Sequence, residues 1–161
     1  MPAQPPAELP TTVRPAEPQD AAAVAALYSA ARVAAVPQMP PAVHTPEEDV
    51  AYFSGRLRDP GVRGWVAESG GGVVGFALST PHSLDALYVL PGRTGRGIGS
   101  LLLDAVDEAH PDGYELWVFE SNAGARRLYE GRGFVVVERT DGSGNEEAAP
   151  DLRMAWRPGR A

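Results

Sequence analysis

The sequence predicts an α/β domain built on a mixed central β-sheet flanked by helices. Three observations predict it. Two apolar runs, "GVRGWVAES" and "GGVVGFALST", flank the glycines Gly70–Gly72 and read as a hairpin. A strand-like run, a glycine-rich loop, an amphipathic helix and another strand-like run follow one another from Leu87 to Phe119. Short connections of that kind make a right-handed crossover between parallel strands. Finally, 161 residues without a cysteine fit one domain that buries its core unaided by disulfides.

The elements follow in order. "MPAQPPAELP" reads as a mobile proline-rich tail over 1–10, ahead of a single domain over 11–158. "TTVRPAE" is a first strand, ended by Pro15 and Pro18. Asp20 is placed to cap a helix whose apolar residues are Val24, Leu27, Tyr28 and Ala31. A proline-rich loop leads to "TPEEDVAYFSGRL", where Thr45 and Glu48 form a capping box around Pro46. Val50, Phe53 and Leu57 give this second helix a buried stripe. After the hairpin, a strand near Leu84–Leu90 enters the glycine loop. Ile98, Leu101, Leu102, Ala105, Val106 and Ala109 then keep helical spacing. "YELWVF" is a strand, "NAGARRLYEGRGF" a helix with its glycine stop, and "FVVVERT" and "DLRMAW" are the last strands.

Composition narrows the function. Acidic residues outnumber basic ones by 21 to 14, a net charge of −7, so nucleic acid is not an expected partner. Lysine is absent, which excludes Schiff-base and phosphate-loop lysine chemistry. Without cysteine there is neither a thiolate metal site nor a thiol nucleophile, and no metal is expected. The N-terminal residues have no signal-peptide pattern, and the alanine-rich run from Ala21 is too short to span a bilayer. A soluble, cytoplasmic protein with no membrane partner is the expectation.

"LYVLPGRTGRGIGSLLL" carries the chemistry. Gly92, Gly95, Gly97 and Gly99 crowd the start of a helix, beside Arg93 and Arg96. A helix start leaves backbone N–H groups unpaired, and their partial charge favours an anion. Glycines let a phosphate approach those amides, and arginine adds charge-assisted hydrogen bonds. The loop lacks the Lys-Ser/Thr of a Walker motif, and G-R-G-I-G-S is not the dinucleotide spacing G-x-G-x-x-G. An ATP- or NAD-binding protein is therefore disfavoured. A plain strand-to-helix turn without ligand is the bland alternative.

The same stretch resembles the acetyl-coenzyme A motif of the GNAT N-acetyltransferases, a strand followed by Q/R-x-x-G-x-G/A and a helix. Thr94 to Gly99 fills the hexapeptide, with Thr94 departing from the usual Gln or Arg. "LWVFESNAGARRLYEGRGF" resembles the family's next strand and helix, and the element order agrees from Thr11 to Trp156. The resemblance implies the GNAT fold, with its parallel strand pair splayed apart. It also implies acetyl transfer to a primary amine of a small molecule or peptide by direct attack.

By that resemblance Tyr88, Val89 and Leu90 contact the pantetheine arm and the acetyl group of acetyl-coenzyme A. Gly95, Arg96, Gly97, Gly99 and Ser100 hold the pyrophosphate. Asn122 reaches the pantetheine arm, and it is equally a helix N-cap. Tyr129 stands where the family often keeps a tyrosine that protonates the departing thiolate; its alternative is an aromatic in packing. The base that receives the amine proton is open. The family's glutamate position is Ser83 here, so Asp85, His82 or a water chain would serve. His44 and Glu147 mark the acceptor side, where acidic groups attract a cationic amine. Homodimers are common in the family. The rival reading is a non-catalytic acyl-coenzyme A-binding module of the same fold.

Overall fold

A computed structural model describes residues 2–3 and 9–159 of the chain. The stretch 1–10, expected as a tail, falls mostly outside the described residues. Of its described part, the Leu9 carbonyl accepts a hydrogen bond from Ser69 Oγ at 3.1 Å.

Among the described residues, seven strands form one sheet. They are β1 (Thr12–Pro15), β2 (Arg63–Ser69), β3 (Gly72–Thr80), β4 (Ser83–Val89), β5 (Tyr114–Phe119), β6 (Val135–Arg139) and β7 (Asp151–Trp156). Their spatial order is β1-β2-β3-β4-β5-β7-β6. Every neighbouring pair is antiparallel except β4 and β5, which are parallel. Four α-helices of the described residues flank the sheet: α1 (Ala21–Ala35), α2 (Pro46–Arg58), α3 (Ile98–Ala109) and α4 (Ala123–Gly131). The expected mixed α/β sheet with a parallel strand pair is therefore the observed one.

Strand alternation divides the core in two. Trp65, Ala67, Val74 and Ala77 face α3 and α4, with Ile98, Leu102, Leu103, Val106, Tyr129 and Phe134. Val66, Phe76 and Leu78 face α1 and α2, with Val24, Leu27 and Phe53. Burying an aliphatic or aromatic side chain of this kind contributes about 1.5–3 kcal/mol each. At Gly75 a Cβ would stand 2.9 Å from Ile98 Cγ2 and 3.2 Å from the Tyr88 carbonyl oxygen. The missing side chain therefore lets α3 seat closely on β3, which fixes where the glycine loop ends.

Several expectations change at the residue level. Gly70 and Gly71 take φ of +61° and +81°, the left-handed pair of a type I′ hairpin turn. Asp20 precedes α1, yet its carboxylate does not cap that helix. It accepts from the Glu17 N–H at 2.7 Å and from the Arg14 fork at 2.9 Å instead, tying β1 to the turn before α1. On α3, Ile98, Leu102 and Val106 of the predicted stripe are buried, but Leu101 is exposed and Leu103 is fully buried in its stead. Three leucines in a row leave the helix phase open by one 100° step, and packing on β2, β3 and β4 chooses it. On α2, Val50 is exposed while Asp49 is buried.

Candidate functional site

The parallel pair β4–β5 holds together at only two positions, Ser83↔Glu115 and Leu84↔Leu116. Beyond them each strand keeps its other neighbour: β4 stays paired with β3 to Val89, and β5 stays paired with β7 to Phe119. The sheet thus opens between them. Backbone N–H and C=O groups on the facing edges lack a strand partner there, so an extended amide-bearing ligand can pair with them. A β-bulge in β4 adds to the opening. Leu78 pairs with Ala86 and Ser79 with Leu84, which leaves Asp85 as the extra residue.

A cavity of about 390 Å³ fills this opening. Leu87, Tyr88, Val89, Trp117, Asn122 and Tyr129 are among its lining residues. The α1–α2 connection closes over it: Met39 lines the cavity and is buried, and the Gln38 carbonyl accepts from Ser121 Oγ. At one end Thr94 brings in the glycine loop. Gly92, Gly95 and Gly97 all take φ between +77° and +87° there. Gly97 is the N-cap of α3 and provides no side-chain cap, and a Cβ on Gly95 or Gly97 would meet no atom within 4 Å. The start of α3 therefore has no side-chain cap on its partial positive charge, and its glycines leave room beside it, which suits a pyrophosphate. Gly99 and Ser100 lie in the first turn of α3, where Gly99 packs toward Leu128 of α4. Arg96 is exposed on the same loop. Leu90 follows β4, donates its N–H to the Val74 carbonyl at 2.8 Å and packs against both halves of the core.

Tyr129 lines the cavity from the end of α4, and its ring packs against Phe134 with centroids 5.5 Å apart. Burial pushes its phenol well above the ordinary tyrosine value, and the nearby Tyr88 adds to the effect. Tyr88 itself is pushed up to about 12, again mainly by burial. Both hydroxyls therefore keep their protons at neutral pH. Asn122 caps α4 by accepting the Ala125 N–H at 3.3 Å, as the N-cap reading expects, and it also lines the cavity.

A second cavity, of about 700 Å³, lies between α1, α2 and the β6–β7 loop. It shares Asp85, Ala86, Tyr88 and Glu147 with the first. Those four residues form the junction. Glu48, Asp49, Asp85, Glu146 and Glu147 surround the second cavity along with Tyr28, Tyr52 and Phe53. His44 joins its rim, with Nδ1 3.1 Å from Glu48 and Nε2 3.0 Å from Glu146. Those two contacts, Glu48 first, hold the imidazole above its ordinary pKa, while Glu48 is held below the ordinary carboxylate value by His44 and the Thr45 cap. His44 and Glu147, singled out by sequence, thus share one cavity.

The candidate bases part company. Asp85 reaches the junction, where it is ion-paired with Arg56 and accepts from Ser83 Oγ at 2.8 Å. His82 is not brought there. It is exposed in the β3–β4 turn, lines neither cavity, and its carbonyl accepts from the Glu115 N–H at 2.9 Å. Sequence reasoning passed over Arg32, a buried charge lining the first cavity. A signal existed for it. Arg32 follows Tyr28 by four, so the charge occupies the apolar stripe of α1, as the buried Asp49, four before Phe53, does on α2.

Residues 60–136 match the model of the acetyltransferase (GNAT) domain. Among curated relatives, "Probable N-acetyltransferase Rv2775" of Mycobacterium tuberculosis is 37% identical over 47% of this chain and 48% of its own length. Peptidyl-lysine N-acetyltransferase YiaC of Escherichia coli is 34% identical over 57% of this chain and 62% of its own. The chain thus matches about half to three-fifths of the length of these relatives. "yncA, a putative ACETYLTRANSFERASE from Salmonella typhimurium", solved with its cofactor acetyl-CoA, shares the fold with a TM-score of 0.73 at 20% identity, over 94% of this chain and 96% of its own. The parted strand pair, the glycine loop at the start of α3 and these likenesses together give the chain the fold of the GNAT acetyltransferases, whose domain model it matches over residues 60–136.

Proposed function

We propose that this chain transfers an acetyl group from acetyl-coenzyme A to a primary amine of a small molecule or peptide by direct attack. The observation that carries the reading is the meeting of two cavities at Asp85, Ala86, Tyr88 and Glu147. One cavity opens between parted strands next to an uncapped helix start, which suits a pantetheine arm and its pyrophosphate. The other is ringed by carboxylates, which suits a cationic amine. The bound acetyl-CoA of YncA and the peptidyl-lysine substrate in YiaC's name support donor and acceptor respectively.

Gly95, Arg96, Gly97, Gly99 and Ser100 hold the pyrophosphate. Tyr88, Val89, Leu90 and Asn122 hold the arm and orient the thioester. The amine enters past His44 and Glu147 and loses a proton, through water, toward the junction carboxylates Asp85 and Glu147. The nitrogen attacks the thioester carbonyl, the carbon–sulfur bond breaks, and Tyr129 protonates the departing thiolate. His82 has no part in this arrangement. Asp85's pairing with Arg56 favours water over Asp85 itself as the immediate proton acceptor.

A panel of amines with acetyl-coenzyme A, read by release of free thiol, tests the reading. Turnover with cationic amines is expected. Tight coenzyme A binding with no thiol release from any amine or peptide would instead mark a non-catalytic acyl-coenzyme A-binding module.

A further inference from the structure

Arg32 lies on the apolar stripe of α1 with its side chain only 4% exposed. Its hydrogen bonds are few for a buried guanidinium. Nη1 donates to Tyr28 Oη at 3.2 Å and Nη2 donates to the Pro40 carbonyl at 2.9 Å. The Nε–H is buried with no acceptor. Its ion-pair partner is Glu147, at 3.8 Å, beyond hydrogen-bond reach. Arg56, Arg126 and Arg132 also have an unpaired Nε, but none of the three is a buried residue, and Arg56 and Arg132 each hold a direct carboxylate pair. Arg32 alone of these four is deeply buried, and its counter-ion is distant. Such an arrangement is costly unless another anion completes it.

Arg32 lines the cavity between the parted strands, beside Met39, Tyr88 and Glu147. A planar guanidinium at the wall of a cavity matches a carboxylate, which it can grip through two parallel hydrogen bonds. We infer that Arg32 is a carboxylate-recognition site in the acyl-transfer cleft, an inference that rests on the acyl-transfer reading above. The carboxylate can belong to the acyl donor, as the far end of a dicarboxylic half-thioester, or to the acceptor, reaching in through the junction. Arg32 lines the first cavity and not the second, which favours the donor. The transfer step is the same in either case. The amine nitrogen bonds to the thioester carbon, the carbon–sulfur bond breaks, one amine proton leaves through water, and the thiolate is protonated. The remote carboxylate takes no part in bond making.

The test uses the full chain as wild type, Arg32→Gln and Arg32→Lys, each checked for folding by circular dichroism. Calorimetry and steady-state kinetics compare acetyl- with succinyl-coenzyme A at one fixed amine. A second arm compares an amino acid with its amide as acceptor, using acetyl-coenzyme A. Wild type is expected to favour the carboxylate-bearing member of one pair by about tenfold or more in kcat/KM. Arg32→Gln should erase that preference and Arg32→Lys should keep part of it. Preference in the first arm assigns the carboxylate to the donor, and in the second to the acceptor. Wild type indifferent in both arms, or a preference that survives Arg32→Gln, overturns the inference. Should Arg32→Gln not fold, an undiminished preference in Arg32→Lys overturns it. Failure of the acyl-transfer reading is seen separately, as no coenzyme A binding and no thiol release with either donor, and it removes this inference too.

Discussion

Tyr129 combines two demands in one side chain. Its ring belongs to the core beside Phe134, and the residue also borders the cavity where the thioester is proposed to sit. Burial raises its pKa, so the phenol is protonated throughout the physiological range and can act as a donor, never as a base. Tyr129→Phe keeps the ring and removes only the proton source. kcat should fall by about 10²–10⁴-fold, with acetyl-coenzyme A affinity and melting temperature nearly unchanged. Steady-state kinetics with parallel calorimetry checks this. A rate within about twofold of wild type, with chemistry rate-limiting, would remove Tyr129 from the reaction.

Among elements, the junction of the glycine loop with α3 and the junction of α2 with the β6–β7 loop each carry a prediction. At the first, Gly97 has φ of +81° and an open Cβ direction. Gly97→Glu places bulk and negative charge where the pyrophosphate is proposed to rest, at a backbone strain of about 1–2 kcal/mol. Coenzyme A affinity should drop by about tenfold or more in a variant that still folds, and calorimetry showing unchanged affinity would refute the assignment. At the second junction, His44 bridges Glu48 of α2 and Glu146 of the loop. Both contacts favour the imidazolium and raise its pKa above 6.5. The clasp is therefore complete below the ordinary histidine value and is lost as pH rises through the raised one. An NMR titration should place His44 above 6.5. Amide protection across residues 141–149, corrected for intrinsic exchange, should be lower at about pH 9 than at about pH 6. Equal protection at both would show that the clasp does not hold the loop.

Across the whole molecule the net charge of −7 is not spread evenly. Five carboxylates line the second cavity, while the glycine loop carries Arg93 and Arg96. An acidic chain thus has a basic-edged loop for one substrate and an acidic chamber for the other. Screening should act on them in a predictable way, since the Debye length shrinks from ~30 Å at 0.01 M salt to ~10 Å at 0.1 M. KM for a dicationic amine should rise severalfold over that range, with little change for an amine made neutral at the same pH. Kinetics at two ionic strengths reads this directly, and equal responses from the two amines would mean that the chamber does not steer the acceptor.

Local signals made much of this chain legible. The capping box at Thr45 and Glu48, the glycine turn at Gly70–Gly71 and the extents of β5 and β7 follow from residues within a few positions of each other. The glycine loop was legible for the same reason, because backbone conformation at Gly95 and Gly97 depends on the absence of a side chain there. Helix phase was not. Leu103 replaces Leu101 in the core, and Asp49 replaces Val50, because partners distant in sequence choose which of several similar faces turns inward. The site beyond the loop belongs to tertiary structure as well. The opening of β4 from β5 after two pairings, the Arg56–Asp85 pair that occupies a candidate base, and the burial of Arg32 all arise between segments far apart in sequence. Spacing along the chain specifies a turn or a helix start, because those are made of neighbours. A cavity is made of distant residues brought together by burial, and its chemistry is decided by which charges that burial leaves short of partners.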